Sequence, residues 1–258
     1  MLEALAAGAV GLAAASFLVV GAAIGWFVRV PTGVVAGIMA FGAGALISTL
    51  AFELVAEAHA VGGLLPTLGG FLTGAVMYVI ADLLLARRGA RARKQSIALL
   101  SKPGVHAAPA AAASGSVGIA VAIGALLDGV PESLVLGLSI AQTGAVSIPL
   151  LFAVAVSNIP EGLASATGMK HEGRSARYVF GVWGGIALIS GVAAMLGFVL
   201  LAGAAPALIA VVTTIAAGGI LAMVANTMIP EAFAADRSFT GLWSALGFAL
   251  AFALYQLG

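Results

Sequence analysis

The 258-residue sequence contains no cysteine. Disulfides and thiolate metal ligands are therefore excluded, and the compartment is left open. Charge is scarce as well. Asp, Glu, Lys and Arg make up 8% of the chain, against about 25% in an ordinary soluble domain. So small a charged fraction argues against a water-solvated globule and offers no surface for nucleic acid. There is no Gly-rich nucleotide-binding loop and no His-Glu-x-x-His helix. What fills the chain instead is apolar, since hydrophobic residues make up 62% of it. A core that apolar uses lipid as its solvent, and the length allows roughly eight to ten spans of about 20 residues.

The apolar stretches divide into eight predicted helices at 5–27, 32–58, 62–86, 116–141, 147–169, 176–202, 207–235 and 239–257. The breaks between them carry Gly, Pro and polar residues, as loops do. The scarce basic residues test this count. Arg29 falls in the first loop. Arg87, Arg88, Arg91, Arg93, Lys94 and Lys102 fall in the third. Lys170 and Arg174 fall in the fifth, with Arg177 at its edge in the first turn of the next helix, and Arg237 in the seventh. All eleven lie in or at the edge of odd-numbered loops, whereas a wrong count scatters them over both sides. The positive-inside rule then puts the odd loops in the cytoplasm and both termini outside. The N-terminal Met1-Leu-Glu3 lacks a basic leader, so the first segment is expected to be a retained span. The expectation is an all-α integral membrane protein, one polytopic domain over 1–258, in a cell (inner or plasma) membrane. The segment 87–115 is expected to be a flexible cytoplasmic linker between the third and fourth helices.

A faint internal repeat is visible. Gly42-Ala-Gly44 leading to Glu57-Ala58 resembles Ala216-Ala-Gly218 leading to Glu231-Ala232, with a spacing of 174 residues. In the eight-helix topology these two segments run in opposite directions. An inverted repeat of helices 1–3 and 6–8 around helices 4 and 5 is expected, a 3+2+3 arrangement of the kind common in secondary transporters.

Two short segments carry the chemistry. Asp128-Gly-Val-Pro-Glu-Ser133 and Ser157-Asn-Ile-Pro-Glu-Gly162 each set a Pro-Glu pair inside an apolar span. An ionisable residue at membrane depth is expensive and marks a functional site by default. Asp128 and Glu132 are four apart and share a helix face. So do Ser157 and Glu161, with Asn158 three residues before Glu161. Three carboxylates in low dielectric need protonation, water or a counter-charge, and neither helix carries Lys or Arg. A divalent cation satisfies several at once, and oxygen donors suit hard or borderline ions. Pro131 and Pro160 remove the bonds to the Leu127 and Val156 carbonyls, so broken helices offering backbone oxygens are expected beside each glutamate. The structural alternative is a proline kink beside a protonated glutamate. Four more residues are candidates for the pathway or a gate: Glu53 and Glu57 toward the outer mouth, Asn226 and Glu231 toward the inner one. For Glu57 and Glu231 the alternative is a solvated helix end, and for Asn226 a bond between helices. Asp82 is expected to pair with Arg87 or Arg88. His106, His171 and Glu172 read as loop residues.

These motifs resemble the signature pair of the ZIP (Zrt/Irt-like) metal transporters, which typically read His-Asn-x-Pro-Glu-Gly in both helices. The likeness extends to Phe41-Gly-Ala-Gly-Ala45, Glu57-Ala58 and Ile229-Pro-Glu231, and so to nearly the whole chain. It implies a first metal site on Asp128, Glu132, Ser157 and Glu161. A second would draw on Gly129, Glu132, Asn158, Glu161 and an acidic residue of the sixth helix. Several positions depart from the pattern. Asp128 replaces a histidine, Gly129 an asparagine and Ser157 a histidine or other ligand, and the sixth helix offers only Ser190. The remaining donors are all oxygens, which weakens the case for Zn²⁺ and favours harder ions such as Mn²⁺, Fe²⁺ or Mg²⁺.

The function implied is import of a divalent cation of the zinc, iron or manganese class, not enzymatic catalysis. The mechanism implied is an elevator in which helices 1, 4, 5 and 6 move against 2, 3, 7 and 8. The metal is substrate, no organic cofactor is expected, and the lipid bilayer is the chief partner, with a homodimer left open. Two alternatives stand beside it. One is the same fold moving another cation or a proton-coupled solute. The other is an intramembrane metal-dependent hydrolase using Asp128 and Glu132.

Overall fold

The computed structural model describes residues 1–85, 116–171 and 173–257. The expected linker 87–115, with Arg87, Arg88 and His106, lies outside the described residues, as do Glu172 and the His171 side chain. Every regular element among the described residues is helical. They form α1 (Leu2–Phe27), α2 (Thr32–Gly62), α3 (Leu64–Leu85), α4 (Ser116–Thr143), α5 (Ile148–His171), α6 (Ala176–Leu201), α7 (Pro206–Ala235) and α8 (Thr240–Leu257). Seven of them are long and apolar enough to cross a membrane. These seven do not include α4, the segment with Asp128 and Glu132, which is described only in part. The chain is thus an all-helical, multi-pass membrane protein with seven such spans among the described residues, one fewer than the charge map predicts.

Local chemistry sets the helix ends. Proline stands at the start of α7, where a missing N–H costs nothing. Ser175 caps α6, its hydroxyl accepting from the Tyr178 amide at 3.3 Å. Between α2 and α3 the chain turns on the single residue Gly63, at φ 82°, a left-handed conformation that glycine adopts without a side-chain clash. Its amide donates to the His59 carbonyl at 2.9 Å, closing the end of α2.

The interior is built of small residues. Ala7, Ala14, Ala22, Ala40, Ala43 and Ala45 are among the fully buried positions. In lipid the hydrophobic effect does not drive helices together, so close backbone approach and dispersion hold them. The contacts divide the helices into two bundles. In one, α1 packs on α5 and α6, and α4 on α6. In the other, α3 packs on α7 and α2 on α8, with both ends of α2 also against α7. The principal bridge is α2 on α5, where Ser157 lies against Gly42 and the Phe41 and Phe152 rings meet at 6.2 Å.

Irregularity falls where the sequence did not place it. Helices α4 and α5 continue through Pro131 and Pro160, so the breaks expected there are absent. Among the described residues the departures from α-geometry within these helices are two π-turns, at Leu50–Val55 in α2 and Val224–Met228 in α7. The two helices match at a constant offset. They begin at Thr32 and Pro206, enter the π-turn at Leu50 and Val224, and carry Glu57 and Glu231 beyond it, each pair 174 residues apart. They run antiparallel: the Ala56–Gly62 segment lies on the start of α7, and Ile229–Ala235 lies on the first part of α2.

The glycines repeat the match. A methyl group on Gly44 would stand 1.8 Å from the Ser244 carbonyl oxygen, and one on Gly218 would stand 1.9 Å from that of Phe71. Thr67 and Thr240 both turn their hydroxyls onto the carbonyl four residues back.

Candidate metal-cation site and its vestibule

Helix α5 is positioned by contacts that surround its polar motif. A methyl group on Gly162 would lie 2.1 Å from the Leu18 carbonyl oxygen, and one on Gly21 equally close to that of Ile159. Only hydrogen fits at either place, so α1 and α5 touch backbone to backbone on both sides of Pro160-Glu161. The Asn158 amide donates to the Ala14 carbonyl at 3.0 Å. This bond uses Nδ2 and turns the amide oxygen away from that contact, available as a neutral donor. The Ser157 hydroxyl donates to the Val154 carbonyl at 2.9 Å, which leaves its lone pairs for an incoming cation. Both residues are buried, and Glu161 is half-buried.

On α4, Glu132 is 2% exposed, deep for a carboxylate. Helix α4 is set against α6 by Gly137, whose hydrogen occupies a space 1.8 Å short of the Ala194 carbonyl oxygen for a methyl. The buried Ser190 hydroxyl lies against Gly129 and has no hydrogen-bond partner among the described residues. The residue singled out on the sixth helix therefore does face α4 beside the motif. Direct contact between α4 and α5 is slight compared with that of α4 on α6 or of α5 on α1 and α2. The side chain of Asp128 lies outside the described residues. Among the described residues no three His, Asp or Glu side chains gather closely enough to hold a metal ion, so a three-carboxylate set depends on Asp128.

The other candidates separate into two groups. Glu53 and Glu57 line a cavity of about 530 Å³ together with Val135, Ser139, Leu150 and Thr213. Its walls come from both bundles, and Val135 stands one turn beyond Glu132, so the cavity leads toward the buried motif. The Ser147 hydroxyl hydrogen-bonds Glu53 while accepting from the Leu150 amide at 3.1 Å. The second Glu53 oxygen and the Thr213 hydroxyl are buried with no hydrogen-bond partner among the described residues. Glu57 is exposed. Asn226 and Glu231 lie away from this cavity, at the opposite end of the α2–α7 pair. Asn226 is exposed on the π-turn, and Glu231 is half-buried just past it.

Thr213 and Ser147 escaped the sequence reading. The 174-residue offset gives no hint of Thr213, whose counterpart is Met39, and Ser147 looks like loop punctuation. No model of a known protein family matches the sequence, and no curated protein is significantly similar to it.

Proposed function

We propose that this protein is a membrane transporter of ZIP type that moves a divalent metal cation toward the cytoplasm through a site between α4 and α5. The observation that carries the reading is the buried Glu132, with Ser157 and Asn158 buried on α5, one turn below a cavity that opens between two helix bundles. A carboxylate buried at membrane depth is costly and marks a functional site by default; a site of oxygen donors around it suits a passing cation. The donors are carboxylate, hydroxyl and amide oxygens, which fit Mn²⁺ or Fe²⁺ better than Zn²⁺. In this reading α4 is the eighth span, both termini are extracytoplasmic, and helices 1–3 and 6–8 form an inverted repeat. The matched π-turns and glycines of α2 and α7 support that repeat. The division into α1, α4, α5, α6 and α2, α3, α7, α8 supports an elevator in which the first bundle carries the ion past the second. Glu53 and Glu57 serve the outer approach, and Asn226 and Glu231 the inner one.

The test is uptake of Mn²⁺, Fe²⁺ and Zn²⁺ into proteoliposomes by the full chain and by Glu132→Ala and Glu161→Ala. Both variants should insert and fold, yet take up no more ion than protein-free vesicles. Undiminished uptake in both would remove the α4–α5 site, and absence of uptake by the unaltered chain for every divalent ion would remove the function.

A further inference from the structure

One end of the first bundle carries a feature that cation transport does not use. Helix α1 finishes, α5 finishes and α6 begins at the same place. The Lys170 ammonium donates to the Trp26 carbonyl in the last turn of α1 and lies 5.2 Å from the centre of the Trp26 ring. Trp26 meets Phe180 edge to face at 6.4 Å, and Phe27 stacks on the same Phe180 ring at 6.3 Å. An aromatic ledge thus joins α1 to α6, and Lys170 ties it to α5. Phe27 is 76% exposed at its edge, and Arg29, Lys170 and Arg177 are exposed beside it.

Exposed aromatic rings at the ends of membrane spans belong to the headgroup level of a bilayer. Basic side chains at that level attract anionic lipid. The sequence leaves the charge nearly uncompensated here: 22–31 and 165–181 hold Arg29, Lys170, Arg174 and Arg177 but a single acid, Glu172. Arg174 is engaged over the Tyr178 ring, 5.0 Å from its centre. Lys170 is held at a fixed point and keeps further N–H donors after its bond to Trp26.

We propose that this end of α1, α5 and α6 is a seat for one anionic phospholipid. The phosphate sits among Arg29, Lys170 and Arg177, and the upper acyl chains lie on Phe27 and Phe180. All three helices belong to the same bundle, so a lipid held there links that bundle, and not the other, to one leaflet. The proposal stands whether or not the chain carries a metal.

The test uses the full chain in bilayer discs of phosphatidylcholine containing a minority of phosphatidylglycerol, followed by native mass spectrometry of the lipid retained. The expected result is selective retention of phosphatidylglycerol. Each basic side chain near a charged surface is worth about fivefold in affinity, so Arg29→Gln with Arg177→Gln should weaken the preference about 25-fold. Arg29→Lys with Arg177→Lys should keep most of it and controls for misfolding. Equal retention by the Gln pair, or no preference over phosphatidylcholine, would overturn the proposal. Displacement of the lipid by millimolar inorganic phosphate would also overturn it, because the seat would then read a free anion.

Discussion

Gly162 is constrained by a neighbour and not by a turn. Its φ is helical, and alanine is the better helix former by about 1 kcal/mol. A methyl there nevertheless meets the Leu18 carbonyl 2.1 Å away, which is backbone and cannot rotate aside. Gly162→Ala should therefore push α1 from α5 and cost about 1–3 kcal/mol through overpacking, against the gain in propensity. Thermal unfolding in detergent measures the sign, and a more stable Gly162→Ala would mean that the two helices part easily. Gly181, with nothing near its missing side chain, is the control: Gly181→Ala should be neutral or slightly stabilising. The donor set sets up a second residue-scale test. If Asp128 takes part in an all-oxygen site, Asp128→His should shift ion preference toward Zn²⁺, because imidazole suits Zn²⁺ better than Mn²⁺ or Mg²⁺. Competition between Zn²⁺ and Mn²⁺ in uptake reads the shift, and an unchanged ratio removes Asp128 from the ligand set.

Among the elements, the sequence was most legible where composition alone decides and least where backbone hydrogen bonding decides. The helical ends fell within a few residues of expectation because Pro31, Gly63, Ser175 and Pro206 are strong local signals. The prolines misled for a related reason. Pro131 and Pro160 each delete a hydrogen bond, and the sequence suggested a break, but packing of Gly137 on α6 and Gly162 on α1 holds both helices through the defect. The π-turns were invisible because Leu50–Val55 and Val224–Met228 contain no breaker residue; their only trace was the 174-residue spacing of the segments that flank them. Such turns amount to one residue inserted into an α-helix and recur at functional sites. Deleting exposed Ala51 should restore α-geometry and leave Glu57 and His59 on their present helix face, because it removes the one residue that the π-turn absorbs; what is lost is the widened turn that carries Glu53. The expected outcome is a chain that still inserts and shows full helical circular dichroism but takes up little ion. Normal uptake would show that the π-turn has no part in aligning the vestibule.

For the whole molecule, the two-bundle division is the feature with the most direct mechanical consequence. The contacts within each bundle are made by backbones pressed together at glycine, as at Gly44, Gly74, Gly137 and Gly162, so each bundle moves as one piece or not at all. The surface between them is different: it holds the cavity lined by Glu53 and Glu57 and a bridge of α2 on α5. If transport slides one bundle past the other, a covalent link across that bridge must stop it, and a link inside a bundle must not. Gly42 and Ser157 suit the first. A side-chain carbon on Gly42 would stand 3.5 Å from Cβ of Ser157, within the separation a disulfide tolerates. Gly8 and Met195, both in the first bundle, suit the second, at 3.4 Å. The sequence has no cysteine of its own, so each introduced pair reports alone. Oxidation of the Gly42→Cys, Ser157→Cys pair should abolish uptake, and reduction should return it to the level of Ser157→Cys by itself. Oxidation of the Gly8→Cys, Met195→Cys pair should leave uptake unchanged. Full activity in the cross-linked first pair would mean that the ion passes between bundles that stay fixed, as in a channel.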